Sequence, residues 1–451
     1  MPWSRSKLTV PVPSCFPLDL MHLASLNIPQ HLIEIWRGSV DGLQNGDHEF
    51  VVLKDDATWQ EHGALVASMR CYLPDSFSRP PRNPAEKINT QYKATKFLTY
   101  FWVLGPALFR LVLPHHLWQH FCKLVCGIRI VHQRTIALED LMHADKQLIE
   151  WETEFEKLYY GRQLDRLHLV RPSIHLIAHA ARETVRCGPL NLLAQWALEN
   201  TIGNLGREVR QHSNPFSNLA ERAVQRSQLN ALHVIVPGLE PCIQAKRGSV
   251  DVGDGYTLLQ AHDKFFQEVP VEEANAIQHY TNEQLQDIRI QKWARLHLPN
   301  GQLARSAWKE RARDKDSVRA ARNVIQENVF FFGEVQYYFQ SHIHSHLKTL
   351  ALISIYQELD ANLFAQSHNT LRVYRYDDIH SLQVIDVHSI QSVVAMIPFP
   401  CSRHEIEENK YLNSFFISEK VFLEYTLSEG RTEENDGDDN EGDNSDDGDD
   451  S

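Results

Sequence analysis

The chain has 451 residues, 43% hydrophobic and 10% aromatic, an ordinary make-up for a globular protein of two or three domains. Its formal charge of −13 is unevenly placed: eleven acidic residues and no basic one stand between Glu433 and Asp450, and leaving them out brings the charge to −2. Seven scattered cysteines exclude a disulfide framework and fit a reducing compartment, and the first residues lack the apolar core of a secretory signal.

Residues 1–235 read as helical. Leu20, Leu23, Leu26, Leu32, Ile33, Ile35 and Trp36 predict a helix opening after Asp19, with Pro29 as a point where it breaks in two. Residues 42–58 are polar and irregular, and Pro80, Pro81 and Pro84 mark a second loop. Helices are predicted over 87–113, 115–132 and 137–160. The apolar run from Phe97 to Pro114 contains Gly105-Pro106 and Arg110, so a buried helix pair is expected there rather than a membrane span. Further helices are predicted over 172–186, 190–210 and 216–232. In the second of these, Leu198, Ile202, Leu205 and Val209 recur at spacings of three and four and predict one buried face.

Beyond Pro237 the pattern changes. Residues 236–325 read as a mixed and basic linker region. Residues 326–428 are rich in aromatic and β-branched side chains, in runs over 329–339, 350–356, 371–376 and 383–397, and predict a small antiparallel β-rich domain. The stretch 429–451 has nothing apolar to bury and is expected to be a disordered acidic tail. The fold class expected is therefore mainly α with a small β module.

Three segments carry candidate chemistry. The first is Phe16-Pro17-Leu18-Asp19-Leu20-Met21-His22, where Asp19 has the place of a helix N-cap and His22 lies one turn on. The second holds His175 and His179, at the i,i+4 spacing that can bring two imidazoles to one metal; without carboxylate or cysteine partners to complete a ligand set, their ordinary reading is a pair of helix-face histidines. The third runs from Cys187-Gly188-Pro189 to Gln195-Trp196-Ala197-Leu198-Glu199 and on to Pro215-Phe216. Cys122 and Cys126, four apart with no second pair, read as buried thiols rather than a zinc site.

In this order the segments resemble the C-terminal portion of CACTA (En/Spm-like) DNA transposases, especially fungal forms, over about residues 13–232. The resemblance implies an RNase H-like core in which three carboxylates hold divalent metal, Mg or Mn. Two hard cations activate the attacking oxygen and stabilise the leaving one. It places Glu199 at the family's terminal catalytic Glu, also a metal ligand if a full carboxylate set is completed, and Asp19 and His22 at its Asp-x-x-His signature. In the family the other two catalytic Asp residues precede that signature; only eighteen residues precede Asp19 here, and the usual Arg after the Glu is Asn200. The expectation is therefore the helical C-terminal part of an incomplete RNase H-like core, with Asp19, His22 and Glu199 vestigial and no autonomous strand cleavage. No cofactor is expected for this chain itself. The partners implied are DNA and a separately encoded catalytic half, with no membrane and no small-molecule cofactor, in an intracellular and, by the resemblance, nuclear setting.

Arg289, Lys292, Arg295, Arg305, Lys309, Arg311 and Arg313, interleaved with Trp293 and Trp308, are the candidate nucleic-acid contacts, since basic side chains engage phosphates and aromatics stack on bases. The bland reading of the same stretch is a solvated Arg-rich linker. The alternative function is a non-catalytic DNA- or protein-binding module. Another class of enzyme has little to recommend it, with no Gly-rich phosphate loop, nucleophile elbow or paired zinc motif.

Overall fold

A computed structural model describes residues 12, 14–43, 48–77, 79–88, 92–209, 213–236, 248–282, 288–312, 319–326, 331–377 and 381–418. Arg313 and the stretch 429–451 lie outside the described residues. The fold is mixed α/β, with helices first and an antiparallel sheet after them.

Two proline-containing helices form the centre of the helical part, and both run through their proline. Leu20–His22, Leu23–Asn27 and Ile28–Trp36 are continuous, as are Ala94–Phe97, Leu98–Leu104 and Gly105–Phe109. In each, the stretch before Pro29 or Pro106 is a π-helix, whose wider turn relieves the clash of the ring with the preceding carbonyls. The carbonyls freed there find other donors. Trp102 Nε1 donates to Ala24 O at 2.9 Å, while Arg129 donates from Nε to Trp102 O at 2.6 Å and from Nη2 to Val103 O at 3.3 Å. The helix pair expected over Phe97 to Pro114 is thus one helix as far as Phe109, because Arg129 supplies the donor that Pro106 lacks. Every residue from Leu98 to Leu104 is buried. Among the described residues no helix is long and apolar enough to cross a membrane.

Around this centre pack the helices Asp56–Ser68, His115–Val131, Leu138–Phe155 and the continuous stretch 172–187. Trp36, Trp59, Trp102, Trp118 and Trp151 are all fully buried, and Trp36 meets Phe109 edge-on at 4.8 Å between centroids. Cys122 and Cys126 are buried thiols, pushed up by desolvation to about 12 and about 11.

The sheet is larger than the small module expected. Its twelve strands begin in the region read as a linker: β1 (Val250–Gly253), β2 (Tyr256–His262), β5 (Trp293–His297), β6 (Leu303–Arg305) and β7 (Asn323–Gln326). They join β8 (Phe332–Ile343), β9 (His346–Glu358), β10 (Val373–Tyr376), β11 (Leu382–Asp386), β12 (Ile390–Val393), β13 (Ala395–Pro398) and β14 (Ser414–Ser418). The long β8–β9 hairpin closes through His344 and Ser345, both with positive φ, the backbone of a two-residue turn that matches strand twist. β3 (Gln267–Glu268) and β4 (Arg289–Ile290) form a separate pair.

The boundary expected at 325 does not divide the structure, since β7 pairs with both β8 and β12. Nor are the helical and β parts separate domains. Leu363, Val373, Ile397, Phe399 and Phe416 share one hydrophobic core with the helices. Arg110 makes a two-pronged ion pair with Glu405 at 2.7 and 2.8 Å, holding that carboxyl, despite burial, down at about 2.

Two outcomes check this packing. A Cβ on Gly127 would lie 2.5 Å from the Leu148 side chain, so Gly127→Ala should lower the stability measured by urea unfolding by about 1–3 kcal/mol, although alanine is the better helix former. Burial holds His62, His120 and His132 neutral, at about 4, about 3 and about 4, against about 6.5 for an unfolded histidine. The unfolded chain therefore binds more protons below that value, and the urea midpoint should fall as pH drops from about 6.5 towards 4. A midpoint unchanged between pH 7 and 5 would contradict it.

Candidate functional site

Asp19 caps the helix that begins at Leu20. Its carboxylate accepts the backbone N–H of Met21 at 3.1 Å and of His22 at 3.4 Å, and the His22 ring Nδ1 lies against Oδ2. The same carboxylate also accepts the backbone N–H of Gln195 at 3.0 Å, across 176 positions of sequence. Gln195 is the N-cap of the helix Trp196–Glu208, so Asp19 joins the starts of two helices, one of them carrying Glu199. The negative charge stands where both helix macrodipoles are positive. Two of the three motif segments thus meet at this carboxylate.

Glu199 itself lies in the first turn of its helix, its N–H bonded to Gln195 O at 2.9 Å, with its side chain exposed. Among the described residues no group of three or more His, Cys, Asp or Glu side chains is arranged to hold a metal ion. The Asp19 oxygens are already taken up by three backbone donors and an imidazole. The residues present here do not fit a pair of divalent cations.

The helix Trp196–Glu208 and its neighbour Pro215–Ile235 have no buried residue. This corrects the buried face expected from Leu198, Ile202, Leu205 and Val209: Leu198 and Ile202 are 52% and 54% exposed. Trp196 alone reaches the main core, and an ion pair between Glu208 and Arg226 ties the two helices. The periodicity is real, but the stripe is covered only in part, Leu205 and Val209 being half-buried.

The basic stretch is distributed through the fold. Lys292 pairs with Glu273 at 3.3 Å and sits 4.0 Å over the Tyr337 ring. Arg295 and Arg305 face each other across β5 and β6, an arrangement of like charges that needs compensation. Arg295 donates to Gln260 O; Arg305 pairs with Asp75 at 2.8 Å and donates to Arg319 O at 3.0 Å. Arg311 meets Glu334 at 2.5 Å. Lys309 lies 3.9 Å over the Trp308 ring, and Arg289 makes an exposed pair with Glu268 at 3.5 Å. The stems of Arg295, Arg305 and Lys309, with Ala261, Ala294, Ser306 and Glu310, line a shallow cavity of about 140 Å³. Trp293 is buried and Trp308 half-buried, so the two aromatics are mainly packing groups. A phosphate binding here would compete with partners already in place.

Sequence reasoning missed Glu152, whose carboxylate lies beside His175, and the backbone of Gln195, for the same reason: neither partner is near in sequence.

Asp19→Ala should cost about 1–2 kcal/mol in urea unfolding, through the lost cap, and should speed proteolytic nicking within 196–235. Glu199→Ala should stay within about 0.5 kcal/mol of the parent; a larger loss would show that Glu199 has a structural partner.

No protein-family model matches this chain, and no curated protein or solved structure matches it either.

Proposed function

We propose that the chain is a transposase-derived protein of the CACTA type that does not cut DNA by itself. The supporting observation is the hydrogen bond from Gln195 N to Asp19, which brings the Asp-x-x-His segment to the helix bearing Glu199. In the RNase H-like chemistry that the resemblance implies, carboxylates converge on paired hard cations. Glu199, exposed and in no metal-holding group among the described residues, is poorly placed for that role, and a catalytic constellation must be held to within about half an ångström. In this reading Asp19 and His22 serve the architecture, and a nuclear setting, DNA and a separate catalytic half are its proposed context.

A second reading, a non-catalytic binding module, is favoured by one observation. The hairpin of Trp196–Glu208 and Pro215–Ile235 presents Leu198, Ile202, Phe216, Val224 and Leu229 to solvent, each more than half exposed. Patches of this kind mark contact surfaces more often than stray apolar residues do. The internal pairing of the basic stretch favours a protein partner over DNA for it.

A strand-cleavage assay on duplex DNA with Mg²⁺ or Mn²⁺ tests the first reading. The expected result is no cleavage above background for the parent or for Glu199→Ala. Cleavage by the parent that the substitution abolishes would overturn it.

A further inference from the structure

His175 and His179 lie on the continuous helical stretch 172–187, the first within Pro172–Leu176 and the second at the end of Ile177–His179. One turn of helix separates them, so both imidazoles project to the same side. Their Nε2 atoms are 3.1 Å apart, and the ring planes cross at 86°. The other nitrogen of His175, Nδ1, lies 2.9 Å from Glu152 Oε1, a carboxylate brought in by the neighbouring helix Leu138–Phe155. His175 is 61% exposed at its side chain and Glu152 26%.

This geometry has a chemical consequence. With Nδ1–H donating to Glu152, His175 keeps a lone pair on Nε2, the state a metal ligand needs. With metal–nitrogen bonds of about 2.0–2.1 Å, two nitrogens 3.1 Å apart subtend roughly 100° at the ion, between octahedral and tetrahedral values. A hydrogen bond sharing a single proton between the two Nε2 atoms accounts for the same distance. The ion takes that proton's place once His179 carries its own proton on Nδ1. Glu183, one turn beyond His179, is engaged by Arg186 at 3.0 Å and is not counted as a ligand.

We propose that His175 and His179 form a two-imidazole site for a divalent transition-metal ion of the zinc class, with Glu152 as the outer carboxylate that orients His175. Water completes the coordination, since the pair faces solvent. Imidazole nitrogens select Zn²⁺, Ni²⁺ and Cu²⁺ over hard cations. The site is therefore chemically distinct from a carboxylate cluster for Mg²⁺, and it stands or falls independently of the transposase reading. A bound ion would tighten the turn between His175 and His179 and, through Glu152, its contact with Leu138–Phe155.

Isothermal titration of the full chain with ZnCl₂ tests the site by difference, because 24 histidines and 7 cysteines offer other weak positions. The double variant His175→Gln/His179→Gln should lose one zinc equivalent while keeping its far-UV spectrum and melting temperature. Glu152→Gln should weaken that same equivalent about 10–100-fold, and excess Mg²⁺ should not displace it. Zinc stoichiometry and affinity unchanged in the folded double variant would overturn the site. Loss in the double variant with no effect of Glu152→Gln would overturn the part given to the carboxylate.

Discussion

Two carboxylates decide how the second half of the chain is arranged. Glu310 and Glu334 have side chains only 3% and 4% exposed, and a buried carboxylate stays charged only beside a cation. Arg322 bridges them, bonded to Glu310 at 2.6 Å and also to Glu334, where Arg311 and the Tyr376 hydroxyl add their donors. Burial raises the Glu334 carboxyl, but the Arg322 charge, the Tyr376 hydrogen bond and the Arg311 charge together outweigh it and hold it below the ordinary value. Satisfying these two groups brings the segment around Arg322 into register with β8. A run of basic residues that reads as linker thereby becomes part of the sheet.

The same segment fastens sheet to helices. Arg319 donates to Leu73 O at 2.6 Å and to Pro74 O at 2.5 Å, Ala320 N to Cys71 O at 2.7 Å, and Gln302 to the Ser76 hydroxyl at 3.1 Å. On another side, Arg110 and Glu405 do the same beneath Phe399. The arginines are chiefly structural because planar, permanently charged forks suit buried carbonyls and carboxylates better than lysines do. Cations committed in this way contribute little to an attractive surface for phosphate.

In the helical half the organising theme is orphaned backbone. Pro29 and Pro106 each remove a donor in the middle of a buried helix, and π turns with Trp102 and Arg129 make good the loss. Asp19 does comparable work at a helix start and then reaches Gln195. Beyond that clip come two amphipathic helices that hold no fully buried residue. Surfaces of polar and apolar interest are thus both found on this side of the molecule's sequence, in the histidine pair of 172–187 and in the hairpin after it.

Local chemistry was legible in the amino-acid order. The helix opening at Asp19, the buried run from Phe97, the inert Cys122 and Cys126 and the β character after residue 329 follow from periodicity, capping preference and side-chain shape, which act over a few residues. Tertiary structure alone decided the rest. It made one helix where Pro106 predicted a break, because Arg129 comes from elsewhere; it drew β7 into the sheet beside β8, where Arg322 meets Glu334; it left Leu198 and Ile202 exposed, because an apolar stripe says nothing about what will cover it. It also set Glu152 against His175 from 23 positions away. Sequence spacing specifies which side chains share a face, whereas the partner across that face is chosen by packing.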